Sequence, residues 1–384
     1  MTNVVLGAGF VGSALARDGG WVVTNRGGRD GALRFVLEER DTWEGLPAHP
    51  VDVVWTFPPT ALETLSDFHR TWLHRARRVV VLGTTGAYAV EDGAWVTEAS
   101  PTTPSPRVAG EGVLLAQGAT LLRLAGLWGP GRDPVAWLTD GRIKDGHKYV
   151  NLAHVEDVVV AVRAVCALPG PTLLNVADGV PRRWRWHVAA LRESGRLPAG
   201  WQLPHGGPAV DGYRVSNHAL RMLLPGRVFQ RLTPVFPGSC AAVLEDLAEA
   251  LEVLARDTPA QAVDVALSHS LGEVLGNALA VCAQAVLDLG HALAREREMA
   301  APLSVVDALA VLVAAGVLDP SAGTQHTLLG RVGRATAEGY TGVPVEDLWA
   351  AARAALSQLR QLVDVGAWVA SSSHEKQSKP AIPS

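Results

Sequence analysis

Apolar positions in the first part of the chain fall into short, dense runs. Val4-Val5-Leu6, Trp21–Thr24, Arg34–Leu37, Val51–Thr56 and Val79–Leu82 are rich in β-branched residues, as strands buried on both faces are. The segments between some of these runs have helical spacing, as from Leu62 to Arg75. Alternation of the two kinds predicts a doubly wound parallel sheet, the α/β Rossmann-like class. The pattern changes after Phe236-Pro237-Gly238. From residue 239 to 370 the chain is rich in Ala, Leu and Val, and helical periodicity replaces the strand runs. Leu244, Leu247, Leu251 and Leu254 mark one apolar helix face. Helices are expected over Cys240–Ala255, Thr258–Glu296, Ser304–Ala315, Ala322–Glu338 and Val345–Val369, which together make an all-α bundle. Ser304 is the expected N-cap of the third, and Gly316 its stop. The expected organisation is an α/β domain over 1–238, a helical bundle over 239–370, and a polar, disordered tail over 371–384.

The first run leads straight into Gly7-Ala8-Gly9-Phe10-Val11-Gly12 and then into Ala14-Leu15-Ala16, a good helix former. A Gly-x-Gly-x-x-Gly turn between strand and helix points to dinucleotide binding. Gly7 permits the tight turn, Gly9 leaves room for a pyrophosphate, and Gly12 lets the helix approach the strand. The end of the second strand selects the cofactor. An acidic residue there would accept hydrogen bonds from a ribose and favour NAD. This chain has Asn25-Arg26, with Arg29 near, so a 2′-phosphate is accommodated and NADP is expected over NAD. Phe57-Pro58-Pro59 follows the fourth strand and is expected to border the cofactor.

Three further segments complete a pattern: Gly83-Thr84-Thr85-Gly86-Ala87-Tyr88, Leu122-Arg123-Leu124-Ala125-Gly126-Leu127-Trp128-Gly129-Pro130-Gly131, and Asn151-Leu152-Ala153-His154-Val155-Glu156-Asp157-Val158. With the glycine turn, they resemble the extended short-chain dehydrogenase/reductases, the nucleotide-sugar epimerase-like group. Tyr213-Arg214-Val215-Ser216-Asn217 is similar to a late segment of atypical members. The resemblance implies an NAD(P)-dependent oxidoreductase or epimerase acting on a sugar-nucleotide or carbonyl substrate. It implies cofactor contacts at Gly83 and Thr84, and a catalytic hydroxyl at Thr84. The family's Tyr-x-x-x-Lys pair is not kept. Ser105 stands where the tyrosine belongs and Ala109 where the lysine belongs. A serine hydroxyl is too weak an acid to replace tyrosine at neutral pH, and alanine carries no charge. The expectation is a nucleotide-binding or sensing protein with an eroded catalytic set. Tyr88 reads as structural. Lys144 and Lys148 could reach the site, though no spacing argument places either there. In Arg182-Arg183-Trp184-Arg185-Trp186-His187, Trp184 and His187 are expected to pack a helix. The arginines are expected to be solvated or to bind an acidic substrate.

The helical part resembles the HepT-like branch of the HEPN superfamily. The resemblance rests on Asp264–Leu271, Ala285–Leu293, Ala314–Pro320 and Gly339-Tyr340. It implies a homodimer through the bundle and RNA as a weaker partner. The family's Arg-x4-His-x-Tyr motif would fall on Gly333, Glu338 and Tyr340, where only the tyrosine matches; a one-residue slip recruits Arg334.

Composition changes the picture little. Of 384 residues, 48% are hydrophobic and 19% charged, which supports folded domains rather than a disordered chain. A net charge of −4 gives no global attraction to nucleic acid or anionic membrane. Cys166, Cys240 and Cys282 lack metal spacing and read as buried thiols of a reducing compartment. The first strand begins almost at Met1, leaving no room for a signal peptide, and the longest apolar run, near Ala308–Leu318, is too short to span a bilayer. A cytoplasmic protein without membrane or metal is expected.

Overall fold

The computed structural model describes residues 2–17, 19–167, 172–203, 212–225, 227–233, 240–262, 269–315, 317–318, 344, 347–357, 359–360 and 363. The α/β part runs β1 (Thr2–Leu6), α1 (Phe10–Ala16), β2 (Trp21–Asn25), β3 (Leu33–Arg34), β4 (Pro50–Trp55), α2 (Leu62–Thr71), β5 (Arg78–Thr84), β6 (Asp92–Val96) and α3 (Pro106–Ala116). It continues through β7 (Thr120–Leu124), β8 (Gly126–Trp128), α4 (Pro134–Thr139), β9 (Tyr149–Val150), β10 (Leu152–His154) and α5 (Val155–Cys166). The last elements are β11 (Leu173–Val176), β12 (Arg182–Arg183), α6 (Trp184–Glu193), β13 (Gly212–Val215) and α7 (His218–Leu223).

Seven strands form one parallel sheet in the order β11-β7-β5-β4-β1-β2-β3. The chain winds outward from β1 through β2 to β3, then returns to β4 on the other side of β1. The crevice between β1 and β4 is therefore the topological switch point, where ligands of open α/β sheets sit. Both faces are covered, as the dense apolar runs require. Val5 packs with Val11, Leu15, Val158 and Val162 on the α1 and α5 side. Val4 and Leu6 pack with Phe68, Leu114 and Leu121 on the α2 and α3 side.

The expected third strand, Arg34–Leu37, is shorter than the apolar run suggests. Only Leu33–Arg34 joins the ladder, while Phe35 and Leu37 are buried with Trp43 and Phe68. The Phe35 N–H still donates to the Asn25 carbonyl at 2.9 Å, and beyond it the run is apolar because it lines a core.

Beyond residue 240 the chain is helical. α8 (Cys240–Asp257) is followed by helices His269–Glu296, Val305–Ala314 and 347–357. Leu244, Leu247, Leu251 and Leu254 lie in one apolar core with Leu279, Cys282, Val286 and Leu312. Ser304 caps its helix, its Oγ accepting from the Asp307 N–H at 3.1 Å. Thr258 belongs to the end of α8, and residues 263–268 of the expected helix from Thr258 to Glu296 lie outside the described residues. The Thr258 N–H and hydroxyl both donate to the Leu254 carbonyl, at 2.9 and 2.6 Å, so it closes α8. The junction 234–239, the expected helix 322–338 and the tail 371–384 lie outside the described residues.

Gly272–Glu296 is long and apolar enough to cross a membrane by length and composition, which the sequence reading overlooked; 67% of its apolar window is buried inside the protein. The bundle docks on the α/β part. Trp186 of α6 enters the bundle core. Arg182 donates to Asp288 at 2.9 Å with both side chains buried, and Arg183 Nε donates to Glu249 at 2.8 Å. Asn277 donates to Ser216 Oγ at 2.8 Å, and Ser216 donates to Glu273 at 2.8 Å. Arg182 and Arg183 are thus paired with bundle carboxylates rather than solvated, and both line a small cavity of about 50 Å³ with Tyr149, Trp186 and Glu249. Trp184 and His187 are buried as expected, His187 Nδ1 meeting Thr233 Oγ1 at 2.8 Å.

Candidate functional site

The glycine turn at the end of β1 is locked by its neighbours. Gly7 has φ +106°, and a Cβ there would stand 2.4 Å from Thr56 Oγ1. Its N–H donates to Thr24 Oγ1 at 3.1 Å, and Thr56 Oγ1 donates to the Leu6 and Gly7 carbonyls at 3.0 Å. A Cβ on Gly12 would lie 2.1 Å from the Gly7 carbonyl oxygen, so α1 can lie against β1 only with glycine there. Gly9 is different. A Cβ there would meet nothing within 4 Å. Nothing inside the folded chain requires Gly9 to be glycine.

Two cavities open on either side of Gly9, at the carboxyl ends of the central strands. The first, of about 520 Å³, is lined by Gly7, Gly9, Asn25, Arg26, Phe35, Leu37, Glu38, Phe57 and Pro58 among others. Apolar walls from Phe35, Leu37, Phe57 and Pro58 form a slot suited to a flat ring. Asn25 is occupied by its own turn: its Oδ1 accepts from Gly27 and Arg29 N–H at 3.0 and 3.2 Å, and its Nδ2 donates to the Arg29 carbonyl at 3.0 Å. That leaves Arg26, exposed and without an ion pair among the described residues, as the cation at the rim.

The second cavity, of about 420 Å³, is lined by Gly9, Phe10, Val11, Gly83, Thr84, Thr85, Arg107, Leu124, Leu127 and Arg132 among others. Thr84 Oγ1 accepts from Gly86 N–H at 3.1 Å. Among the described residues no tyrosine or lysine lines either cavity. Ser105 is exposed and lines neither; its Oγ accepts from Val108 N–H at 3.2 Å and caps α3. Ala109 is also exposed and lines neither. The next residue, Gly110, fixes the helix against the loop after β4: a Cβ there would fall 1.6 Å from the Pro59 carbonyl oxygen. Lys148 packs against Gly212, and Lys144 lines neither cavity.

Behind the second cavity lies a buried polar chain. Glu111 of α3 faces Arg123 of β7 at 3.8 Å, and both are buried. Gly83 makes room for it, since a Cβ there would be 2.7 Å from Glu111 Oε1. Burial raises the Glu111 carboxyl above its ordinary range, against the pull of Arg123 and Arg107. The Arg123 guanidinium stands 4.8 Å from the Tyr88 ring centre, and Tyr88 donates to Asn175 Oδ1 at 2.6 Å. The Asn175 N–H donates to Glu98 at 2.7 Å. Burial pushes Glu98 up to about 7. Tyr88 is thus a packed, hydrogen-bonded core tyrosine, as its sequence setting suggests. Cys166 and Cys282 are free, buried thiols pushed by burial up to about 12. Among the described residues no cluster of His, Cys, Asp or Glu is placed to hold a metal.

The structure brings Gly7, Gly9, Asn25, Arg26, Phe57 and Pro58 to the first cavity, and Gly9, Phe10, Val11, Gly83 and Thr84 to the second. Gly12 acts one layer below. Arg107 and Arg132 went unnoticed in the sequence as site residues. Arg107 lies between Ser105 and Ala109, and Arg132 directly follows Gly129-Pro130-Gly131, so neither carries a local signal of its own. Gly333, Arg334, Glu338 and Tyr340 lie outside the described residues.

No family model matches this chain. Protein YeeZ of Escherichia coli K12 is 33% identical over 156 residues, which is 38% of this chain and 57% of YeeZ. The match therefore spans little more than half the length of that curated relative. A functionally unknown conserved protein from Silicibacter pomeroyi has a solved structure that is 26% identical; it covers 58% of this chain and 91% of its own, with a TM-score of 0.47. MoeE5, solved with UDP-glucuronic acid and NAD, is 20% identical over 60% of this chain and 94% of its own, with a TM-score of 0.49.

Proposed function

We propose that the α/β part binds a nicotinamide dinucleotide, NADP in preference to NAD, and that the protein binds or senses the cofactor without the tyrosine-driven turnover of short-chain dehydrogenases. One observation carries this reading. Two cavities of nucleotide size flank Gly9 at the sheet's switch point, and Gly9 has open space where its side chain would be. Adenosine fits the apolar slot of the first, the pyrophosphate crosses Gly9, and the nicotinamide half reaches the second. Arg26 at the rim supports a 2′-phosphate there. The lack of tyrosine and lysine along both cavities among the described residues supports binding over proton transfer.

A second reading, an atypical NADP-dependent oxidoreductase or epimerase acting on a sugar-nucleotide or carbonyl substrate, is favoured by Thr84 and two arginines lining the nicotinamide end. Water would then supply the proton. A dimerising or RNA-contacting role for the helical part rests on its HEPN resemblance. Light scattering in solution tests the dimer, and RNA degradation lost in Tyr340→Phe tests the other role.

Mass spectrometry of the nucleotide that copurifies, followed by titration with NADPH and NADH, tests the main reading. NADPH binding without turnover on sugar nucleotides, aldehydes and ketones is the expected result. Absence of binding to either dinucleotide would sink both readings; turnover of any carbonyl would replace the first with the second.

A further inference from the structure

The second cavity contains an arginine, Arg107, that the dinucleotide reading does not use. Arg107 and Arg132 both line it, and among the described residues no carboxylate does. Neither forms an ion pair among the described residues. Arg107 is half-buried in the first turn of α3. Glu111, one turn further along the same face of α3, is buried and faces Arg123; it attracts Arg107 without forming an ion pair with it. Arg132 extends over the Phe10 ring, 5.6 Å from its centre, with Trp137 at 6.0 Å. Aromatic contacts hold a guanidinium in place without neutralising it. Thr84 Oγ1 accepts from Gly86 N–H, and its proton has no acceptor among the described residues. Leu82, Leu124 and Leu127 supply apolar walls. Two guanidinium forks without an ion pair among the described residues and a free hydroxyl donor, in one concave site, select an anion. The dinucleotide's own phosphates would lie at the glycine turn, which forms the rim between the cavities.

We propose that the second cavity binds a small ligand bearing a carboxylate or phosphate group, clamped by Arg107 and Arg132 with Thr84 as a third donor. This names the ligand class of the site beside the cofactor, and it rests on the dinucleotide reading of the first cavity. Arg107 is the diagnostic residue, because Arg132, next to Phe10, is also close enough to the turn to serve the cofactor's phosphates.

The full chain is titrated by calorimetry with NADPH, and the loaded protein then with oxalate and, separately, with inorganic phosphate. At least one anion should bind. Arg107→Gln should weaken it about 10-fold or more, the loss of a charge-assisted hydrogen bond, while NADPH affinity stays within about twofold. Arg107→Lys should recover part of the loss, since the charge returns without the fork. A preference for oxalate assigns a carboxylate ligand; a preference for phosphate assigns a phosphorylated one. Failure of both anions to bind, or equal binding by Arg107→Gln and the parent, overturns the proposal while the cofactor reading stands. If NADPH itself does not bind, the cofactor reading fails. The anions are then titrated into the unloaded chain: dependence on Arg107 upholds the anion site, and independence removes it.

Discussion

Gly9 and Gly12 are two glycines of one motif with opposite reasons for being glycine, and single methyl groups separate them. In Gly9→Ala the new Cβ enters open space. The backbone there is at φ −76° and ψ −167°, a region alanine adopts freely. Restricting the unfolded chain stabilises by about 0.4–1 kcal/mol. Losing glycine at the N-cap of α1 costs a similar amount, roughly 0.5–1 kcal/mol. The net change in folding stability is within about 0.5 kcal/mol of zero. Binding should respond differently. A methyl where the pyrophosphate crosses the turn removes at least one backbone hydrogen bond to a charged oxygen, about 1.5–3 kcal/mol, or about 10- to 150-fold in Kd. In Gly12→Ala the Cβ falls 2.1 Å from the Gly7 carbonyl oxygen and 3.0 Å from Val5 Cγ1, both parts of the core beneath the turn. Helix and strand must separate, at a cost of about 1–3 kcal/mol or more in stability, and the turn is displaced with them. Urea denaturation and NADPH fluorescence titration on the same samples give both quantities. Gly9→Ala should unfold with the parent and bind about 10- to 150-fold more weakly; Gly12→Ala should lose both stability and affinity. NADPH binding by Gly9→Ala within about twofold of the parent would refute the path assigned to the pyrophosphate. Parent-like stability of Gly12→Ala would refute the packing argument.

Arg26→Ala should weaken NADPH about 10-fold, roughly 1.4 kcal/mol, and leave NADH unchanged; equal loss for both would contradict a 2′-phosphate contact. Asp288→Ala leaves the buried Arg182 guanidinium without its carboxylate, so urea denaturation should show a loss of about 3–5 kcal/mol; a loss under about 1 kcal/mol would mean the bundle is not anchored by this pair. Glu98 has a native pKa raised from 4.5 to about 7, so between those values the native carboxyl keeps a proton that the unfolded chain has lost. Its contribution is fully present below the lower value and is lost as pH rises through the upper one. Glu98→Gln keeps an acceptor for the Asn175 N–H and cannot ionise. Its stability relative to the parent should therefore be greater at about pH 8 than at about pH 5, and an equal difference at both would refute the assignment.

The strands, the glycine turn and the change to helices after residue 239 were legible because each is written in adjacent residues. A parallel strand buried on both faces must be a short apolar run, and a turn with positive φ at Gly7 leaves glycine as the residue of choice. The edge strand β3 was overread for a related reason. Phe35 and Leu37 are apolar because they pack beneath Trp43 and Phe68, and a hydrophobic run does not say whether its backbone pairs. Thr258 carries two readings in the sequence: a threonine before proline suits a helix start, but here both its donors turn back to Leu254.

What the tertiary structure alone decided is which charges meet. Arg107 and Arg132 belong to different elements, and only the docking of α3 against the loop after β4, with Gly110 against Pro59, brings both to one cavity. Arg182 and Asp288 are likewise far apart in sequence, and nothing local marks either as buried. Local sequence fixes backbone conformation because sterics act between neighbours in the chain. The electrostatic character of a site depends on distances through space, and those exist only once the sheet and bundle have closed. The sequence alone therefore determined the α/β frame and its nucleotide-shaped turn. The fold decided that the cleft beside that turn is cationic, and that the bundle is fastened to the α/β part by a buried ion pair.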